Sequence, residues 1–228
     1  NIRSLKSKIW DQWADDKGFI GKSYGYQLSQ SYLHHKLTHD DTQSQTDFLY
    51  PSYEIKVVDG IKWVSLDQVD GVLWDLKNNP FSRRIVTNIY NHKDLHAMNL
   101  YPCAYSMTFN CSKIPNSNKL ILNGILNQRS QDMLVANNWN VCQYALLMIM
   151  IAQCLDMVPG ELIHVISDCH IYDRHIPLIK ELISRTEYEA PNVYLSPRIK
   201  SFYSFGTCDL FVEQYKTGTQ IKKIPVAV

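Results

Sequence analysis

The sequence predicts an α/β fold of the α+β kind, a single domain in which a mixed β-sheet surrounds a buried central helix. Three features predict it. Apolar residues recur at helical spacing in two segments, apolar and β-branched runs bounded by turn residues lie between them, and one long uncharged stretch, Met133–Leu155, occupies the middle. With 228 residues the chain can bury a sizeable core without disulfides or a structural metal.

The elements follow in order. Ser29–Asp47 is the most polar segment and reads as a solvated insertion loop; its adjacent His34 and His35 and its paired Asp40 and Asp41 show no recurring ligand spacing. Ser65 and Gln68 are spaced as a capping box, and Val69, Val72, Leu73 and Leu76 continue as a helix face until Asn78-Asn79-Pro80 stops it. Arg83 and Arg84 open a strand-like run over 85–90. Two strands, around 106–111 and 119–126, flank the turn-rich Pro115–Asn118 and read as a hairpin. The central helix is expected at 139–157, ending at Pro159-Gly160. A strand at 161–166 follows, then a helix at about 176–185 with Ile176, Ile179, Leu182 and Ile183 on one face. The uncharged stretch is not a membrane span. It carries Asn137, Asn138, Asn140, Gln143 and Gln153, and only Ala145–Ala152 is strictly apolar, whereas a spanning helix needs about 20 predominantly apolar residues.

Composition narrows the function. Basic and acidic residues number 23 and 22, for a net charge of +1, which argues against a general nucleic-acid or membrane-surface binder. Hydrophobic residues at 45% and charged residues at 20% exclude a disordered chain. The six cysteines, at 103, 111, 142, 154, 169 and 208, have neither zinc-knuckle nor redox-motif spacing. The chain carries no secretory-type leader, so the expectation is a cytoplasmic protein without metal, with most cysteines packed as small buried hydrophobes.

A few residues could carry chemistry. Cys103, just before a strand, is a nucleophile only as its thiolate, which calls for a cation nearby; Arg129, at the end of the second hairpin strand, is a candidate. Arg83 and Arg84 are either a solvated strand end or an anion clamp whose guanidinium forks match phosphate oxygens. Gln128-Arg129-Ser130-Gln131-Asp132 sets donors and an acid between two apolar elements, as a ligand-binding turn or a polar loop. Asn140, in the first turn of the central helix, offers donor and acceptor for a pyrimidine edge, or else caps the helix. His170 and Tyr172 alternate with Ile171 and point the same way in extended backbone, so both could reach one ligand.

Together these segments resemble the thymidylate synthase family. The matching stretches are Ile9–Ala14, Tyr24–Gln27, Asn79–Arg84, Tyr101-Pro102-Cys103, Gln128–Asp132, Asn138-Trp139-Asn140, Asp168–Tyr172 and Pro225–Val228, in the family's order from one end of the chain to the other. The resemblance implies one catalytic domain over 1–228 that methylates dUMP reductively to dTMP, with 5,10-methylenetetrahydrofolate as one-carbon and hydride donor and no metal. It implies that Cys103 adds to C6 of uracil, that Arg129 binds phosphate and favours the thiolate, and that Gln128 and Ser130 add contacts to the nucleotide. Asn140 would read the uracil edge, His170 and Tyr172 the ribose hydroxyl, and Tyr24 would serve proton removal at C5. Asp132 would hold the pterin and border dUMP. Trp10, Trp13, Leu100, Val135, Ala136, Trp139, Tyr172 and Ala227 would line the folate site, with the Val228 carboxylate closing it. Arg83 and Arg84 would reach the partner's phosphate in a homodimer.

The family pattern also extends upstream of Asn1, with a phosphate-binding Arg and a Glu that organises proton transfer, so the chain is expected to lack that part. Two departures stand out: Ala104 where many members have His, and the turn Met133–Asn138 where Gly and Pro are usual. Three alternatives compete. A hydroxymethylase on the same fold would use water in place of hydride; Asn140, Trp10 and the Pro-Val-Ala-Val end favour the methylase. A silent nucleotide-binding paralogue or a cysteine hydrolase built on Cys103 would be a different class.

Overall fold

The structure, a computed structural model, describes residues 11–38, 50–222 and 224–225. Helices and strands alternate, with antiparallel and parallel pairings both present, in an α+β arrangement. The chain divides into two compact units, Asn1–Asn110 with Ile125–Asn127, and Cys111–Gly124 with Gln128–Val228.

The first unit holds a three-stranded antiparallel sheet in the order β1-β3-β2, from Tyr32–Lys36, Ile61–Leu66 and Glu54–Val58. Asp59 and Gly60, both at positive φ, join β2 to β3; their left-handed backbone matches the twist of the strands and makes a two-residue hairpin. The expected insertion loop is therefore a strand where it is described. Tyr32–Lys36 pairs with β3, and His34 lies 3.3 Å from Asp75; His39–Asp47, with Asp40 and Asp41, falls outside the described residues. Helix α2, Gln68–Asn78, buries Val69, Val72, Leu73 and Leu76 as its spacing requires. Its cap differs from the expected Ser65–Gln68 box: Ser65 is held in β3 by its partners on both sides, and Asp67 caps the helix by accepting the Asp70 N–H at 2.8 Å. The expected strand over 85–90 shortens to β4, Val86–Asn88, antiparallel to the start of β5, Ala104–Lys113. Its core is filled by Val64, Leu66, Leu73, Ile85, Met107, Phe109 and Leu126.

In the second unit the far ends of β5 and of β6, Leu120–Gln128, meet through a turn with Asn116 at φ 59°, as the hairpin reading requires. The central helix α3 runs Asn137–Cys154 and buries Asn140, Tyr144, Met148, Ile151 and Ala152, one stripe at helical spacing. It ends earlier than expected because Asp156, at φ 53°, turns the chain out of the helix. Pro159 and Gly160 then belong to β8, Val158–Ile166, where Gly160 lets the backbone pass close to Asn123 and Ile121. Among the described residues no helix is long and apolar enough to cross a membrane. Two further pairs complete the unit: β7, Gln131–Asp132, parallel to β9, Cys169–His170, and β10, Asn192–Leu195, antiparallel to β11, Leu210–Glu213. Helix α4, Ile176–Ile183, matches its expected start, but its apolar face is open, with Ile183 at 76% exposure.

The cysteines correct one expectation. None is fully buried: Cys103, Cys111 and Cys154 are half-buried and Cys142, Cys169 and Cys208 exposed, and none of them forms a disulfide. Cys142 lies two residues from Asn140 and so falls on the opposite side of α3 from the buried stripe. Burial pushes the Cys111 thiol up, and the Cys154 thiol to about 11, which leaves both inert as nucleophiles.

Candidate active site

In the first unit Gly21, at φ 81°, bridges to Met98, Lys22 N–H donates to Ala97 O at 2.9 Å and Asn99 N–H to Ile20 O at 3.2 Å. These bonds draw the Tyr24 segment alongside the chain that leads into Cys103. Tyr24 itself, the residue before the one-turn helix α1, Gly25–Leu28, has φ 39°. A non-glycine residue there costs on the order of 1–3 kcal/mol and commonly marks a functional position. Its hydroxyl accepts the Cys103 backbone N–H at 3.3 Å, so the two residues are neighbours. Leu100 O accepts from Ser23 Oγ at 3.3 Å, and Trp13 O from Asn99 Nδ2 at 2.9 Å.

Beside them lies an amide network. Buried Gln27 donates to Lys22 O at 2.8 Å and to Asp94 Oδ2 at 3.0 Å, and Lys22 Nζ reaches Asp94 Oδ1 at 3.1 Å. Gln27 and then Lys22 hold the Asp94 carboxyl below the usual range. Gln68 donates to Gln27 O and to Asn88 O, each at 2.9 Å, and accepts the Asn88 N–H at 2.7 Å, which fixes β4. An open cleft of about 770 Å³ is bordered here by Arg84, Tyr90, His92 and Lys93. Arg83 and Arg84 are exposed in the turn before β4, and neither guanidinium makes a hydrogen bond or ion pair among the described residues.

The second unit gathers the polar turn. Gln128, 1% exposed, ends β6; its amide donates to Ser130 O at 2.8 Å and contacts Gln131 Oε1, while its oxygen accepts from His164 Nε2 at 2.9 Å. Burial pushes the His164 imidazole down, keeping it a neutral donor. Ser167 N–H donates to Gln128 O at 2.9 Å, Gln131 N–H to Asp168 O at 2.8 Å and Met133 N–H to His170 O at 3.0 Å, lacing the turn to the segment that carries His170 and Tyr172. Those two rings meet edge to face at 5.0 Å, as their alternation predicts. Arg129 is exposed and Ser130 half-buried between the two laced ends.

Asp132 Oδ1 accepts the N–H groups of Leu134 at 3.0 Å and Val135 at 3.3 Å, so Oδ2 is the oxygen without a hydrogen bond among the described residues. Val135 and Ala136 form the turn into α3, with Ala136 in the cap position and Trp139 exposed in the first turn. Asn140 lies a full turn into the helix and is not its cap; the residue is buried, and its side chain has no hydrogen-bond partner among the described residues. The cap position belongs to Ala136, so the capping reading of Asn140 falls away and the ligand reading stands. Trp10, Ala227 and Val228 lie outside the described residues.

Sequence reasoning missed the two histidines that support the turn, His164 on β8 and His175 after Tyr172. His175 is fully buried, and its Nδ1 lies 3.8 Å from Asp132 Oδ1. No spacing in the chain announces either histidine, because the contacts to Gln128 and Asp132 form only on folding. Among the described residues no group of three His, Cys, Asp or Glu side chains could hold a metal.

In one unit a tyrosine at positive φ holds the Cys103 backbone, and in the other a Gln-Arg-Ser-Gln-Asp turn is laced to the His170–Tyr172 segment, features that suit an enzyme of the α+β class. The sequence pattern of the thymidylate synthase family matches residues 1–228. The chain is 37% identical to thymidylate synthase of Bacillus subtilis subsp. natto over 97% of its own length and 68% of the relative's. It is 35% identical to thymidylate synthase 1 of Bacillus amyloliquefaciens over 99% and 85%. Among solved structures, thermostable thymidylate synthase A from Bacillus subtilis superposes with a TM-score of 0.74 at 35% identity, covering 100% of this chain and 70% of that one. This chain belongs to the thymidylate synthase family. It is a methyltransferase that makes dTMP from dUMP with 5,10-methylenetetrahydrofolate as cosubstrate, and nothing in these relatives favours the hydroxymethylase, silent or hydrolase alternatives.

Proposed function

We propose that one catalytic domain over residues 1–228 carries this reaction with Cys103 as the nucleophile. Its thiolate adds to C6 of uracil, and the electrons of the C5–C6 bond move toward O4, so that C5 becomes the nucleophile toward the one-carbon unit. Tyr24, beside Cys103, serves the removal of the C5 proton. The released methylene takes hydride from the folate, which leaves as dihydrofolate, and the sulfur departs from C6. Arg129 and Ser130 bind the phosphate, Arg129 also favouring the thiolate, and Gln128 orients the turn. Asn140 reads the uracil edge with its unpaired amide, and His170 and Tyr172 hold the ribose hydroxyl.

The folate sits on Trp10, Trp13, Leu100, Val135, Ala136, Trp139, Tyr172 and Ala227. Asp132 Oδ2 receives the pterin donors, and Val228 closes over both ligands, because the methylene must meet hydride and not water. The working enzyme is a cytoplasmic homodimer. Arg83 and Arg84, whose guanidiniums have no use within the described chain, reach the phosphate in the partner's site. Six cysteines without a disulfide between them suit a reducing compartment.

The contact of Tyr24 with Cys103 is the observation that supports this reading most. Product analysis tests it. Incubation with dUMP and methylenetetrahydrofolate is expected to give dTMP and dihydrofolate; 5-hydroxymethyl-dUMP with tetrahydrofolate would contradict it.

A further inference from the structure

His175 is the most enclosed polar side chain described in the second unit, at 0% exposure. It closes the short helical turn Asp173–His175 that opens α4, where its N–H donates to Tyr172 O at 2.7 Å. The ring meets two other segments and a neighbour in its own. Nε2 lies 2.7 Å from Pro225 O, Nδ1 lies 3.8 Å from Asp132 Oδ1, and the ring stands edge to face with Tyr172 at 5.6 Å. A carbonyl oxygen only accepts, so Nε2 carries the hydrogen and the ring cannot turn over without losing that bond. Nδ1 is thereby aimed toward the Asp132 carboxylate, with no hydrogen-bond partner of its own.

Burying an imidazole this completely costs free energy that an aromatic hydrocarbon of the same shape would not. Packing alone does not account for histidine here, whereas the bond to Pro225 O, made with the ring seated against Asp132, does. Asp132 Oδ1, already bound to two backbone N–H groups, is backed by the ring, which leaves Oδ2 to face a ligand.

We infer that His175 is a positioning residue: through Nε2–H it anchors the segment Ile224–Pro225 against the wall made by Asp132 and Tyr172, and so sets the Asp132 carboxylate for the folate pterin. This rests on the reading of Asp132 as the pterin-binding acid.

Steady-state kinetics of the full chain test it with three variants. His175→Phe keeps the ring volume and the Tyr172 contact but cannot donate. It is expected to raise KM for methylenetetrahydrofolate about tenfold, roughly the effect of one lost hydrogen bond, while KM for dUMP stays within about twofold. His175→Gln, whose amide nitrogen can still reach the Pro225 carbonyl, is expected to return the folate KM to within about threefold of wild type. An unchanged folate KM in His175→Phe, equal rises in both KM values, no rescue by glutamine, or failure of both variants to fold would each overturn the positioning role. Asp132→Asn separates this from the underlying reading. If that variant leaves the folate KM unchanged, the pterin assignment of Asp132 fails; if it raises the folate KM while His175→Phe does not, only the role of His175 fails.

Discussion

Asp70 makes a quantitative test of the first unit. It sits in the first turn of α2 at 0% exposure; Oδ2 accepts the Ser52 N–H at 2.8 Å, while Oδ1 has no hydrogen-bond partner. Burial, reinforced by the neighbouring Asp67 charge and opposed by the Ser52 bonds, pushes its carboxyl from 3.8 to about 6. Tyr50 Oη, close enough to feel the Asp70 charge, is also buried without a hydrogen-bond partner, and no cation among the described residues is among the causes of the Asp70 shift. Because the folded pKa is raised, the folded state binds the proton more tightly than the unfolded one. Stability from this group is therefore full below pH 3.8, falls as pH rises toward 6, and is flat above. A shift of this size corresponds to at most about 3 kcal/mol. Asp70→Asn keeps an oxygen for Ser52 and removes the charge. Its stability relative to wild type is expected to grow by about 2 kcal/mol between pH 4.5 and 7.5, or roughly 4–8 °C in Tm for a chain of this length. Urea or thermal melts of both proteins across that range measure it. A pH-independent difference, or a variant that loses ground as pH rises, would refute the reasoning.

Other predictions follow from the same geometry. Asn140→Asp exchanges an amide that can donate to the uracil O4 edge for a carboxylate, and relative affinity for dCMP over dUMP is expected to rise at least about tenfold by competition binding. Arg84→Ala in one subunit mixed with Cys103→Ser in the other is expected to leave one competent site per mixed dimer if the arginine is lent across the interface; activity of the mixture no greater than the sum of the separate variants would count against the lending. Gly21→Val forces a side chain at φ 81° into the Ala97 carbonyl, and a loss of about 2–4 kcal/mol with a matching fall in Tm is expected.

Much of the fold was legible because burial enforces period. The Val69–Leu76 face and the hairpin around Asn116 appear as spaced, since each has a side to hide. Where tertiary pairing overrides local preference the sequence misleads. Ser65 looks like a cap until two neighbouring strands claim it, and Tyr32–Lys36 looks like loop because its polar side chains gain their place only from β3. Asp59-Gly60 carried a hairpin signal that went unread. Helix α3 stops at Cys154 because of the left-handed Asp156 and not because of Pro159. For the site, residue types pointed to Cys103, Arg129 and Asn140, but the support was invisible: His164 and His175 act on Gln128 and Asp132 from other elements, and no spacing in the chain announces a contact made only on folding.

Cys103→Ser is expected to reduce turnover to near background while dUMP still binds, since oxygen is a far weaker nucleophile than thiolate at neutral pH. The most direct measurement is covalent capture. Fluorine at C5 of 5-fluoro-dUMP cannot leave as a proton, so the reaction halts with the nucleophile still attached to C6 and the one-carbon unit joined to C5. Incubation of the dimeric enzyme with 5-fluoro-dUMP and methylenetetrahydrofolate, followed by peptide mass analysis, is expected to find nucleotide and folate together on the peptide containing Cys103 and on no other cysteine. No adduct with active enzyme, or an adduct on Cys169 or another thiol, would contradict the mechanism.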